Sequence, residues 1–163
     1  MNEIKIEIKG RYKGYTYQTI AMPMGHRCGY VKIPVKNKLY GKDYNYNLGL
    51  KKSVMNNKKI GKRGVISLVC WDRKTITPCI LFDVHGGLTF SGKLLDTTGW
   101  WLGFDCIHSG DAKDKTIMEK RYLETEEKYH LNFDGDVVRT KEYVEQECKN
   151  LIDQIIKYFP IKL

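Results

Sequence analysis

With 163 residues, 42% hydrophobic content, eleven tyrosines and three tryptophans, the chain has the makeup of one globular domain, residues 1–163, able to bury its own core. No run approaches the roughly 18 apolar residues of a membrane span, and the alternating start MNEIKIEIKG lacks the apolar stretch of a secretory signal, so a cytoplasmic protein without a membrane partner is expected. Five dispersed cysteines (Cys28, Cys70, Cys79, Cys106, Cys148) with no CxxC pair argue against a disulfide framework or zinc ribbon, while a net charge of +9, with twelve Lys and Arg against two Asp between Lys32 and Lys74, favours an anionic partner.

Taken in order, Ile4, Ile6 and Ile8 alternate with Lys5, Glu7 and Lys9 and predict a half-buried strand that turns near Gly10 to Gly14 into a first hairpin. Pro23 and Gly25 mark a turn before a short strand from Tyr30 to Ile33, which Pro34 ends. His26 and Arg27 stand at the entrance of that strand, where an imidazole and a permanent guanidinium can meet a phosphate. Residues 36–64 read as a long basic loop, solvated yet sprinkled with tyrosine, leucine and isoleucine. Its GKRG at Gly61 to Gly64 lacks the Walker spacing and is not a P-loop. Val65 to Trp71 and Cys79 to Val84 read as paired strands around the Thr75-to-Pro78 turn.

The stretch from Ile80 to Asp111 gathers two histidines, two tryptophans and six glycines between apolar strand-like runs. His85 stands at a strand end before Gly86-Gly87, and a long aromatic strand from Trp100 stops at Ser109-Gly110-Asp111. Singly, each of its polar residues would pass as a turn or core residue. As a group, His85, Asp105, His108 and Asp111 can move protons, orient water or hold a metal. A short helix is predicted around Ile117 to Lys128. Asp134-Gly135-Asp136 lacks the ligand spacing of an EF-hand.

The clearest element is a helix over about 140–159. Thr140 suits its N-cap, Val144, Cys148, Leu151, Ile152, Ile155 and Phe159 form one apolar stripe, and Pro160 stops it. Strands first and a helix last give an α+β class, an antiparallel or mixed sheet with this amphipathic helix packed on one face.

Three segments, GHRCGYVKIP at Gly25 to Pro34, VHGGLTFSG at Val84 to Gly92 and GWWLGFDCIHSGD at Gly99 to Asp111, followed by the RTKEYVEQECKNLIDQI helix, together resemble a family of small proteins encoded by bacteriophages and prophages. The resemblance implies a setting in host cytoplasm and, by analogy with phage counter-defence proteins, a nucleotide immune signal as ligand.

The leading expectation is a phosphodiesterase-like hydrolase acting on a small linear or cyclic nucleotide. His85 and His108 would be acid and base, with Asp105 or Asp111 orienting an imidazole. Thr89, His26, Arg27 and Lys93 would bind the anion, and Trp100 or Trp101 would stack a base. The alternative is a sponge that sequesters the same ligand unchanged. No cofactor is required in the leading reading; the residue types also permit a divalent-metal hydrolase with His85, Asp105, His108 and Asp111 as ligands, or a Cys106–His108 nucleophile pair. A nucleic-acid polymer ranks behind a small nucleotide as partner, and homo-oligomerisation stays open.

Overall fold

Five strands form one antiparallel sheet in the computed structural model, which describes residues 5–55, 61–64, 68–69, 71–94, 97–130 and 132–161. They are β1 (Lys5–Tyr12), β2 (Tyr15–Ala21), β3 (Arg27–Ile33), β4 (Phe90–Gly92) and β5 (Trp100–Asp105), in spatial order β1-β2-β3-β5-β4. The first hairpin closes through Lys13 (φ 46°) and Gly14 (φ 85°), both left-handed. That two-residue turn matches the twist of its strands.

The alternation in β1 does not put Ile6 and Ile8 on one face. A register shift between them leaves Glu7 as an extra residue, so Ile6 is exposed while Ile8 packs on the core. Ile4 lies outside the described residues.

The segment expected as a strand from Cys79 to Val84 is instead the short helix α1 (Pro78–Leu81), all four residues of which are buried, followed by residues outside any strand, so His85 does not close a strand. Its apolar residues look β-prone, but Thr77 caps the turn by accepting from the Ile80 amide, and Pro78 occupies the first helical position, where a missing N–H costs nothing. The strand expected over 65–71 falls largely outside the described residues. The basic segment 36–64 is less solvated than expected. Leu39 is buried, and Tyr44, Leu48, Leu50, Val54 and Met55 pack against the core.

Helix α2 (Lys120–Tyr129) stands close to the predicted position, and α3 (Lys141–Tyr158) carries the long apolar stripe. Thr140 accepts from the Tyr143 amide at 3.2 Å, and Val144, Cys148, Leu151, Ile152 and Ile155 are buried against β1, β2 and β3. A sheet covered by a helix gives the α+β class. Among the described residues no helix is long and apolar enough to cross a membrane.

Because Leu151 is fully buried, Leu151→Ala should lower unfolding free energy by about 2–5 kcal/mol through lost burial and a residual cavity. Urea denaturation measures this; a loss below about 1 kcal/mol would mean that the helix is not part of the core.

Candidate functional site

The polar residues of the central stretch meet behind α3. Asp111 and Ala112 form β6 (Asp111–Ala112), which pairs in parallel with β7 (Val137–Val138), Asp111 lying opposite Val137. This short ladder brings Asp111 beside Arg139, two residues beyond Val137. The Arg139 Nε donates to Asp111 Oδ1 at 2.8 Å.

His85 follows α1 after Phe82, Asp83 and Val84, which belong to no strand. Its amide donates to Glu147 Oε2 on α3 at 3.0 Å, and its ring lies between two partners. Nε2 is 2.7 Å from Asp111 Oδ2, and Nδ1 is 2.9 Å from the Tyr143 hydroxyl. A carboxylate only accepts, so Nε2 carries hydrogen, and in the neutral ring Nδ1 accepts from the phenol. Asp111, His85 and Tyr143 thus form a continuous chain for a proton. Asp111 Oδ2 also accepts the His108 amide at 2.9 Å. Burial alone would raise the Asp111 pKa, but the bonds from Arg139, His85 and the His108 amide outweigh it, and the carboxyl titrates below its ordinary value.

His108 forms a second carboxylate–imidazole pair. Its Nε2 lies 3.3 Å from Asp105 Oδ1, close enough for attraction but too poorly aligned for a hydrogen bond. The side chain is 33% exposed although Nε2 is buried, so the accessible surface is elsewhere on the side chain. Asp105 is fixed from its other oxygen by the Thr89 hydroxyl at 2.7 Å. The ring centres of His85 and His108 are 5.7 Å apart.

Both rings line one cavity of about 790 Å³, together with Thr89, Ser109, Tyr143, Arg139, Lys62, Arg63, Gly64 and Gly86. Lys62 reaches in from the surface to pair with the buried Glu147. Lys62 Nζ and the Arg139 guanidinium lie 5.7 and 5.1 Å from the centre of the Tyr143 ring. Burial, then the charge of Glu147, pushes the Tyr143 phenol up to about 12, so at neutral pH it keeps its proton.

Gly86 sets how closely the two histidines approach. Its φ is +65°, and a Cβ there would lie 1.9 Å from His108 Nε2. Gly86→Ala should therefore displace the His108 ring and cost about 1–3 kcal/mol of backbone strain. Chemical denaturation with imidazole NMR checks both effects; a wild-type midpoint and unshifted His108 resonances would contradict them.

No family model, curated protein or solved structure matches this chain.

Of the candidates named from sequence, His85, His108 and Thr89 line the cavity, and Asp105 and Asp111 hold the two imidazoles from behind. The other five do not line it. Arg27 is buried with its guanidinium enclosed by Glu7 at 2.6 Å, Asp114 at 2.9 Å and the Arg139 carbonyl at 3.1 Å, so it is a structural ion-pair centre rather than an anion ligand. His26 keeps a buried, unpartnered Nδ1, and burial lowers its pKa against the opposing pull of Asp105. Trp101 is buried with Ile20 and Leu94 in a separate apolar cluster, and Trp100 donates its indole N–H to the Lys42 carbonyl at 3.0 Å. Lys93 is exposed elsewhere.

Two alternative chemistries lose their geometry. Among the described residues no three His, Cys, Asp or Glu groups converge as metal ligands, and both ring nitrogens of His85 already have partners. Cys106 is buried, which pushes its thiol well above the ordinary range, the opposite of an activated nucleophile. The residues that sequence reasoning missed are Arg139, Tyr143, Glu147 and Lys62. Glu147 carried a signal, since it interrupts the apolar stripe between Val144 and Cys148; Lys62 lay in the GKRG set aside as a failed P-loop.

Proposed function

We propose that the cavity binds a small phosphate-bearing nucleotide and cleaves one of its phosphodiester bonds by acid–base chemistry. The observation that carries this reading is the pair of imidazoles, each backed by its own carboxylate, with ring centres 5.7 Å apart on the wall of one cavity. One such pair is common in structural networks; two facing the same space match the need to take a proton from the attacking group and give one to the leaving oxygen. A cavity of about 790 Å³ is in the range of small-ligand sites. Lys62 and Arg139 supply the positive charge for a phosphate.

The roles of the two histidines differ. His108 is the partly exposed ring and meets the substrate directly. His85 is 8% exposed with both nitrogens engaged, so it acts through the Tyr143 hydroxyl. The resemblance to phage proteins suggests a nucleotide immune signal of the host cell as the physiological substrate.

Incubation of the purified protein with a panel of cyclic and linear nucleotides, separated before and after denaturing the protein, tests the reading. New linear products support it. Unchanged nucleotide released only on denaturation would replace it with sequestration, and recovery of every nucleotide free and intact would reject both.

A further inference from the structure

The cavity holds a hydroxyl already joined to a base that is itself held by a carboxylate. Tyr143 Oη is 2.9 Å from His85 Nδ1, and His85 Nε2 is 2.7 Å from Asp111 Oδ2. This is the carboxylate–imidazole–hydroxyl order that activates a nucleophile in acyl transfer, built with a phenol in place of an alcohol. The far end of the chain is rigid. Asp111 is 1% exposed in its side chain and takes three donors, from His85, Arg139 and the His108 amide. The Thr89 hydroxyl, also in the cavity, is given to a carboxylate, Asp105, which fixes it without an imidazole base.

We propose that Tyr143 is the nucleophile of a two-step phosphodiester cleavage through a phosphotyrosyl intermediate, with His85 as its base and His108 as the acid for the leaving group. The proposal rests on the phosphodiesterase reading and adds the group that attacks phosphorus. In the first step Tyr143 Oη bonds to phosphorus and the bond from phosphorus to the leaving oxygen breaks. The phenol proton passes to His85 Nδ1, and protonated His108 gives its proton to the leaving alkoxide. In the second step neutral His108 takes a proton from water, whose oxygen attacks phosphorus. The bond to Tyr143 breaks, Tyr143 recovers its proton from His85, and the product leaves as a phosphomonoester with His108 protonated again. No oxidant, reductant or co-reactant other than water enters.

Electrostatics suit this sequence. The phenol keeps its proton at rest, so it reacts only as His85 removes that proton. The imidazolium then formed lies against the Asp111 carboxylate. Asp111 acts through His85 and is a positioning residue. Lys62 and Arg139, on either contact of the Tyr143 ring, face the charge gathered on the phosphoryl oxygens.

Bis(4-nitrophenyl) phosphate separates the two steps, because its good leaving group departs without an acid whereas hydrolysis of the intermediate still needs the His108 base. With this diester, His108→Ala should release a burst of one equivalent of 4-nitrophenol and then stall. Mass spectrometry should find one 4-nitrophenyl phosphoryl group on Tyr143. Adding Tyr143→Phe to His108→Ala, with the double variant verified as folded by its denaturation profile, should lose the burst and the adduct. Wild-type hydrolysis that survives in Tyr143→Phe, with no adduct in His108→Ala, would overturn the nucleophile while leaving the phosphodiesterase reading intact. Failure of wild-type protein to cleave this diester and every nucleotide of the panel would remove that reading and the nucleophile together.

Discussion

Replacing Arg27 by Ala is expected to lower stability by about 3–5 kcal/mol, a large share of the margin of a domain of this size. The guanidinium is 7% exposed and faces Glu7 (9%) and Asp114 (16%), so its removal leaves two carboxylates with little water to replace it. Asp114 shows the coupling. Burial raises its pKa, yet the Thr116 hydroxyl and Arg27 hold it below the ordinary carboxylate value. Urea denaturation at neutral pH measures the loss; a change under about 1 kcal/mol would mean that the three charges are solvated and that Arg27 is free for another role.

The second large effect is on chemistry. His85→Ala should reduce turnover about 10²–10⁴-fold, the usual worth of a positioned acid or base, while much of the binding survives, because proton transfer is realised in the transition state. Some stability is lost as well, since Asp111 and the Tyr143 hydroxyl each lose a partner. Rates are therefore compared per folded molecule. If the protein only sequesters its ligand, the same substitution costs about 0.5–1.5 kcal/mol of affinity, or up to about 3 where a charged phosphate is contacted, and there is no turnover to lose. Calorimetric titration beside a product assay distinguishes the two. Wild-type turnover and affinity in His85→Ala would reject the site.

What could be read from the sequence follows the range over which each signal acts. Helix α3 was legible because cap, stripe and stop lie within one segment, Thr140 to Pro160, and need no partner to be recognised. The β1–β2 hairpin was legible for the same reason, but the face of Ile6 was not, because the shift that exposes it lets Glu7 meet Arg27, 20 residues away. Helix α1 was misread because Ile80, Leu81 and Phe82 favour a strand locally, whereas the Thr77 cap and Pro78 act on the backbone itself.

The same rule divides the site. His85, Thr89, Asp105, His108 and Asp111 fall within one stretch and could be grouped by density. Tyr143 lies 58 positions from His85, and Arg139 lies 28 from Asp111. Only the pairing of β6 with β7 and the docking of α3 join them. The tryptophans failed as ligand groups because strand β5 buries Trp101 and the Lys42 carbonyl occupies the indole of Trp100.

Occupancy by a phosphate-bearing nucleotide of the cavity lined by His85 and His108 is directly measurable through the chain's four histidines. In the ¹⁵N-labelled protein, imidazole resonances of His26, His85, His108 and His130 can be followed while a phosphorothioate cyclic dinucleotide is added. Such occupancy predicts saturable shifts of His108 and His85, with His130, exposed at the end of α2, unmoved. Saturable binding that shifts only His26 or His130 and leaves His85 and His108 in place would contradict it.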